Sequence, residues 1–325
     1  MDHLFSYGTL QQPEVQLRVF GRKLRGMKDS LEEYKITQPE SIAGNQFTSG
    51  SRYPIAVFTG NPGDHIHGVL YEVAGEDLVR TDRYEGPLYK RVEVTIRSGR
   101  KAWAYVYLGR EHIIENTIDF VKKSLADAEG GHDWWHVYRV WKMSKYIAGT
   151  EHVNLLVVEL GALLHDIADS KFHDGDETIG PQKTRAFLSS LHLDEEIIQH
   201  VEQIVSNISF RGGNKTQTFK SIELDIVQDA DRLDALGAIG IARAFNYGGY
   251  KNRLIYDPEI PPDLNLTSQE YKKNAAPTIN HFYEKLLLLK DRMNTDAGKR
   301  LASARHQFLE DYLVKFYKEW EGEYK

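Results

Sequence analysis

Residues 160–167 read LGALLHDI: an apolar helical run ends in a histidine and a carboxylate, His165-Asp166. Such a pair is expensive to bury unless it is partnered or coordinates an ion. Two further stretches have the same character. His136 follows Gly131-His132-Asp133-Trp134-Trp135 at a helix start, and Asp231 lies in VQDADRLD (Val227 to Asp234), entering another apolar helix. Two histidines and two carboxylates suit Mn, Mg, Fe, Co or Zn. The 325 residues include no cysteine, so thiolate metal sites, Fe–S clusters, disulfides and a cysteine nucleophile are excluded. A divalent ion on these four residues lowers the pKa of a bound water and makes a hydroxide nucleophile available near neutral pH.

Outward from this stretch the apolar period is helical. Ile113, Ile114, Ile118, Phe120, Val121 and Leu125 form one stripe, closed by Gly130-Gly131. Apolar positions recur through Val137 to Ile147, Leu155 to Ile167, Ile197 to Ile208 and Ile222 to Phe245. Asn246 to Thr267 reads as a long loop, and Pro277 to Arg292 and Leu301 to Trp320 as two final helices. Before residue 110 the pattern is period two. His3 to Tyr7, Tyr53 to Phe58, His67 to Val73, Arg91 to Ile96 and Ala102 to Leu108 read as strands, with one helix from Glu76 to Tyr84. The chain is therefore expected to hold two domains, residues 1–110 and 111–325: a small barrel-like α+β domain, then an all-α bundle.

Charge follows the same division. Residues 1–110 carry 15 Lys+Arg against 13 Asp+Glu, and residues 111–325 carry 26 against 34. Neither has the basic excess of a protein that grips a nucleic-acid polymer. An acidic half still accepts an anionic ligand where a metal neutralises it locally. The start MDHLFSYGTL lacks the features of a signal peptide, and the apolar stretch Val153 to Leu164 is interrupted by Glu159 and too short to span a bilayer. A cytoplasmic protein with no membrane partner is expected.

The pattern His136, His165-Asp166, Asp231, with LLHDIADSKFHDGDE (Leu163 to Glu177), SNISFRG (Ser206 to Gly212) and VQDADRLDALGAIGIARAF (Val227 to Phe245), resembles the HD-domain metal-dependent phosphohydrolases over about residues 112–325. The resemblance implies a helical bundle that hydrolyses phosphate anhydrides or esters of nucleotides with one divalent metal. It also implies an acidic residue just after the HD pair as acid/base. Asp169, on the same face as His165 and Asp166 if the helix continues, fits that role or faces solvent. Lys171 and Lys183 could clamp phosphate oxygens or be plain solvated lysines. Arg232 and Asp234 beside Asp231 could form an ion pair behind the ligands or touch substrate. His173 and Asp174 are not expected to ligate the metal. His132, Trp134 and Trp135 read as core, with one aromatic available to stack a base.

In the first half, Tyr7-Gly8-Thr9-Leu10 ends the first strand in a glycine turn whose N–H groups could hold a carboxylate. With Gln11 to Val15, Tyr53-Pro54 and DRYEGPLYKR (Asp82 to Arg91), it resembles the AIG2-like branch of the γ-glutamylcyclotransferases over about residues 3–110. The resemblance implies release of 5-oxoproline from γ-glutamyl amines without a metal. Glu85 would be the catalytic carboxyl, the turn at Tyr7 to Leu10 would hold substrate, and Tyr53 and Tyr89 would line the pocket. A structural alternative pairs Glu85 with Arg83 or Arg91. Ser51-Arg52 puts a bulky cation beside the expected pocket and leaves the leaving group open. The functional alternative is that this domain senses a ligand and regulates the hydrolase.

Overall fold

The computed structural model describes residues 2–37, 55–86, 89–126, 133–167, 178–191, 193–208, 219–264 and 276–323. They fall into two compact units: residues 1–116 with 186–198, and residues 117–185 with 199–325.

The first unit runs β1 (Asp2–Ser6), α1 (Pro13–Phe20), β2 (Gly26–Glu32), β3 (Tyr34–Thr37), β4 (Ile55–Phe58), β5 (His65–Val73), α2 (Gly75–Glu85), β6 (Tyr89–Thr95) and β7 (Lys101–Tyr107). Five strands form one sheet in the order β2-β5-β1-β7-β6, while β3 and β4 pair separately. The sheet is mixed, because β1 is antiparallel to β5 and parallel to β7. Its edges touch at one end, where Leu31 bridges Ile96 and the Arg97 N–H donates to the Ser30 carbonyl at 2.8 Å. The sheet is thus curled and barrel-like at that end, without a closed ladder among the described residues.

Alternation along β1 explains the period-two signal. Leu4 packs with Val15 and Phe20 of α1 and Leu78 of α2. Phe5 faces the other way, onto Leu31, Ala56, Ile66 and Ile96. Gly68 makes room for it: a Cβ there would stand 2.5 Å from the Ser6 carbonyl oxygen and 2.6 Å from the Phe5 ring. Three elements carry little pattern in the sequence. In β2 only Ser30 and Leu31 are buried, and β3 is a four-residue strand without a buried position. Helix α1 is eight residues long, set by Pro13 in its first turn and by Gly21 at its end with φ of 72°.

The remaining helices are α3 (Gly109–Ser124), α4 (Trp134–Ala148), α5 (Leu155–Leu164), α6 (Ile179–Ser190), α7 (Glu195–Asn207), α8 (Ile222–Asp234), α9 (Gly237–Tyr250), α10 (Thr278–Glu284) and α11 (Asp296–Trp320). Every residue of α5 from Leu156 to Leu164 is buried, as its unbroken apolar sequence requires of a central helix. Helices α4 and α8 pack on it. The apolar stretch from Ile222 to Phe245 is two helices, not one. Leu236 is extended and Gly237, the first residue of α9, takes φ of 69°, which turns the chain into the new helix. Likewise α10 stops at Lys285, and Leu286–Leu288 and Lys290–Arg292 form separate 3-10 turns. The expected loop from Asn246 starts later, after Tyr250. No described helix is long and apolar enough to cross a membrane.

Candidate functional site

Three helix ends bring the metal-type residues together. Asp133 caps α4, accepting from the His136 N–H at 3.0 Å, so the histidine enters the bundle in the first turn. His165 caps the C-terminus of α5, and Asp166 follows it. Asp231 comes from the last turn of α8, whose other side is tied down. There the Asp229 carboxylate accepts the Thr295 N–H and hydroxyl, both at 2.8 Å, just before α11.

Ligand atoms of His136, His165 and Asp166 all lie within 4.8 Å of one another, so these three could hold one metal ion. The His136 and His165 Nε2 atoms are 3.3 Å apart. Asp231 Oδ1 is 3.4 Å from the first and 4.0 Å from the second, and Asp166 Oδ2 is 4.0 Å from His136 Nε2.

The hydrogen bonds on the far sides of the rings assign the tautomers. His165 Nδ1 meets the Ala162 carbonyl at 2.8 Å, and His136 Nδ1 meets the Asp234 carboxylate at 2.8 Å. Both partners are acceptors, so each Nδ1 carries a proton and the two Nε2 atoms face each other. At 3.3 Å these atoms need a proton on one ring or a cation between them. The donor set therefore fits a divalent metal, with nitrogen and oxygen ligands spaced for bonds of about 2.0–2.2 Å. Burial opposes a charged imidazolium at His136, but Asp231 and Asp234 outweigh it and push the ring up to about 9 in the metal-free protein.

Asp234 is nearly inaccessible and does not face the metal site. Arg139 grips it through two bonds of 2.7 and 2.9 Å, and Arg243 through one of 2.7 Å. Burial opposes its charge, but the bonds from His136 and Arg139 and the charge of Arg243 hold its carboxyl well below the usual range. Of the two roles open to Asp234, the geometry gives that of the ion pair behind the ligand. Arg232 instead pairs with Asp229 at 3.4 Å and donates to the Arg292 carbonyl at 2.6 Å and to Gln228 at 3.2 Å. Arg139 and Arg243 were not legible as site residues. Arg139 lies one turn beyond His136, but Arg243 sits on a different helix with no local signal.

Trp134 is half-buried and Trp135 exposed; Trp135 packs edgewise on Tyr138 and Trp134 lies tilted against it. Lys183 is exposed on α6. His132, Asp169, Lys171, His173 and Asp174 lie outside the described residues, as do Arg52 and Tyr53 of the first unit.

In the first unit Glu85 is the last residue of α2. Burial pushes its carboxyl up to about 7 and is the one influence that moves it among the described residues. Its electrostatic neighbours include Tyr7 and Tyr105. The Tyr7 hydroxyl donates to the Tyr105 carbonyl at 2.6 Å. It is raised by burial, with Tyr89 and Glu85 adding to the effect. Gly8 opens the turn, Thr9 shares a 2.8 Å hydroxyl bond with Tyr84, and Leu10 is core. Tyr89 packs edgewise on Tyr107 at 5.6 Å. Arg83 is exposed, and Arg91 pairs with Asp82 at 3.5 Å.

Residues 4–124 match the family model of the AIG2-like γ-glutamyl cyclotransferases, and residues 134–236 match that of the HD domain. YpgQ of Bacillus subtilis is 37% identical over 211 residues, which is 64% of this chain and 94% of YpgQ. The crystal structure of an HD-superfamily hydrolase from Bacillus thuringiensis is 46% identical, with a TM-score of 0.53 over 65% of this chain and 98% of that one. YpgQ in complex with ADP superposes with a TM-score of 0.52 at 32% identity, over 65% of this chain and 96% of YpgQ. The chain belongs to the HD superfamily of hydrolases and carries an AIG2-like domain ahead of its HD domain.

Proposed function

We propose that the helical unit is a metal-dependent phosphohydrolase of nucleotides. The observation that carries this is the convergence of the His136 and His165 Nε2 atoms, 3.3 Å apart, with Asp166 and Asp231. The ADP complex of YpgQ supports a nucleotide ligand. His136, His165, Asp166 and Asp231 would hold the ion. When bound, it supplies Lewis-acid stabilisation of phosphate charge and a water of lowered pKa. A cation is also what an anionic substrate needs in a region with 34 acidic against 26 basic residues. Asp234 fixes the His136 ring with Nε2 outward. Asp169 takes a proton from the attacking water or gives one to the leaving oxygen. Lys171 and Lys183 hold phosphate oxygens.

The test is a panel of nucleotides with Mn, Mg, Fe, Co or Zn, read by phosphorus NMR, which separates pyrophosphate from orthophosphate release. Asp166→Ala and Asp231→Ala should lose metal. Asp169→Asn should keep metal and lose about 100-fold in turnover. Wild-type metal content in both alanine variants, or no turnover across the panel, refutes the reading.

The first unit is proposed to release 5-oxoproline from γ-glutamyl amines, with Glu85 moving the proton from the substrate amine to the leaving nitrogen. A carboxyl titrating at about 7 suits both halves of that transfer. Tyr7 to Leu10, Tyr53 and Tyr89 would hold the substrate. Loss of 5-oxoproline release in Glu85→Gln, with phosphohydrolase turnover retained, supports the role. No release by the wild type over a broad γ-glutamyl panel replaces it with ligand sensing.

A further inference from the structure

Helix α2 carries two carboxylates one turn apart, Asp82 and Glu85, which therefore share a face. Their surroundings differ. Asp82 accepts the Tyr105 hydroxyl at 2.6 Å and pairs with the Arg91 guanidinium at 3.5 Å. That guanidinium also lies 5.1 Å from the centre of the Trp103 ring. Arg91 is thus held on two sides, by a charge and by an aromatic face. Glu85 lies near phenols: it acts on Tyr7, just after β1, and on Tyr105 of β7, and Tyr89 of β6 also acts on Tyr7.

The charged groups around this face are few. On α2 itself they are Asp82 and Arg83, and Arg83 is exposed. Among the described residues, strand β6 brings Arg91, and Tyr7 after β1 and Tyr105 of β7 bring phenols. Tyr84, beside Glu85, is engaged by the Thr9 hydroxyl and by Arg18, 5.7 Å from its ring centre. Arg91, Asp82 and Glu85 all act on Tyr105, so Arg91 is a described cation in the neighbourhood of both carboxylates of this helix face.

We propose that Asp82 is a positioning residue that diverts Arg91 from Glu85, keeping the Glu85 carboxyl free of a cationic partner. The inference deepens the proposed role of Glu85 and rests on it for its functional meaning. Its physical content stands apart, because an arginine against Glu85 stabilises the carboxylate and takes away a proton that the carboxyl would hold near neutral pH. Consistent with the diversion, burial alone moves Glu85, upward. Asp82 acts through Arg91 and does not touch the reacting atoms.

The experiment is a carbon-13 carboxyl titration of the full-length protein without substrate, with the Glu85 signal assigned by its loss in Glu85→Gln. Asp82→Asn keeps an acceptor for the Tyr105 hydroxyl and removes the charge that holds Arg91. It should lower the Glu85 midpoint by about one pH unit or more. Asp82→Asn with Arg91→Met should restore it to within a few tenths. An unchanged or raised midpoint in Asp82→Asn overturns the proposal. So does a lowered midpoint that Arg91→Met fails to restore, because the shift is then only the loss of a neighbouring negative charge. Asp82→Ser makes the same charge deletion and serves if the asparagine variant does not fold. Failure to release 5-oxoproline would remove the catalytic reading of Glu85 and leave this titration result standing.

Discussion

Glu85 links a titration to the stability of the first unit. Its carboxyl has an ordinary value of 4.5 and is raised to about 7 in the fold by burial. A carboxyl raised in the native state binds its proton more tightly there than in the unfolded chain. The stabilisation is fully present below about 4.5 and is lost as the pH rises through about 7. Taken over the whole interval, the loss is about 3 kcal/mol, roughly 300-fold in the opening equilibrium. Glu85→Gln keeps shape and hydrogen bonding and never ionises, so it escapes this loss. The variant should match the wild type within about 1 kcal/mol at pH 4.5 and gain about 2–3 kcal/mol over it at pH 8.5. Hydrogen exchange of peptides from β1, β5 and β7 reads the first unit without interference from the helices. Comparing both proteins at each pH cancels the intrinsic pH dependence of exchange. If the stability difference is the same at the two pH values, Glu85 does not titrate near 7, and its proposed proton-transfer role fails with it.

Asp234→Asn should lower metal affinity by about 10–100-fold, because it loosens the His136 ring and leaves Arg139 and Arg243 without their carboxylate; isothermal titration measures it, and an unchanged affinity argues against the orienting role. Since His136 is raised to about 9 without metal, binding at pH 7 should release close to one proton and tighten with pH up to about 9. Titration in buffers of different ionisation heat detects this, and binding without proton release would contradict it. Gly68→Ala should destabilise the first unit by about 1–3 kcal/mol, since its Cβ would stand 2.5 Å from the Ser6 carbonyl oxygen; a neutral thermal shift would mean that β1 and β5 move apart readily.

Much of the architecture was legible along the chain because burial in a strand repeats every second residue and in a helix about every third or fourth. Strands β1 and β5 to β7, helix α2 and the long apolar helices all carry that repeat. The metal-type residues were legible for a related reason. His165 and Asp166 end an apolar helix, where charge is conspicuous, and neither they nor Asp231 has a packing reason to be there. Elements without a repeat were missed: β2 is polar and owes its place to the ladder with β5. The break at Gly237 is set by a single backbone angle that an apolar pattern does not express.

The roles of the second layer came only from tertiary structure. Asp234 could face substrate or ion-pair behind the ligands until α8 was set against α4, 98 residues back along the chain, which put it on His136. Arg243 joins it from the next helix. Glu85 could have paired with Arg83 or Arg91, yet Asp82 and Trp103 take Arg91 and leave Glu85 to burial. Periodicity records which side of an element is buried. Which polar atom faces which depends on where separate elements dock, and protonation depends on the distances and the dielectric that docking creates.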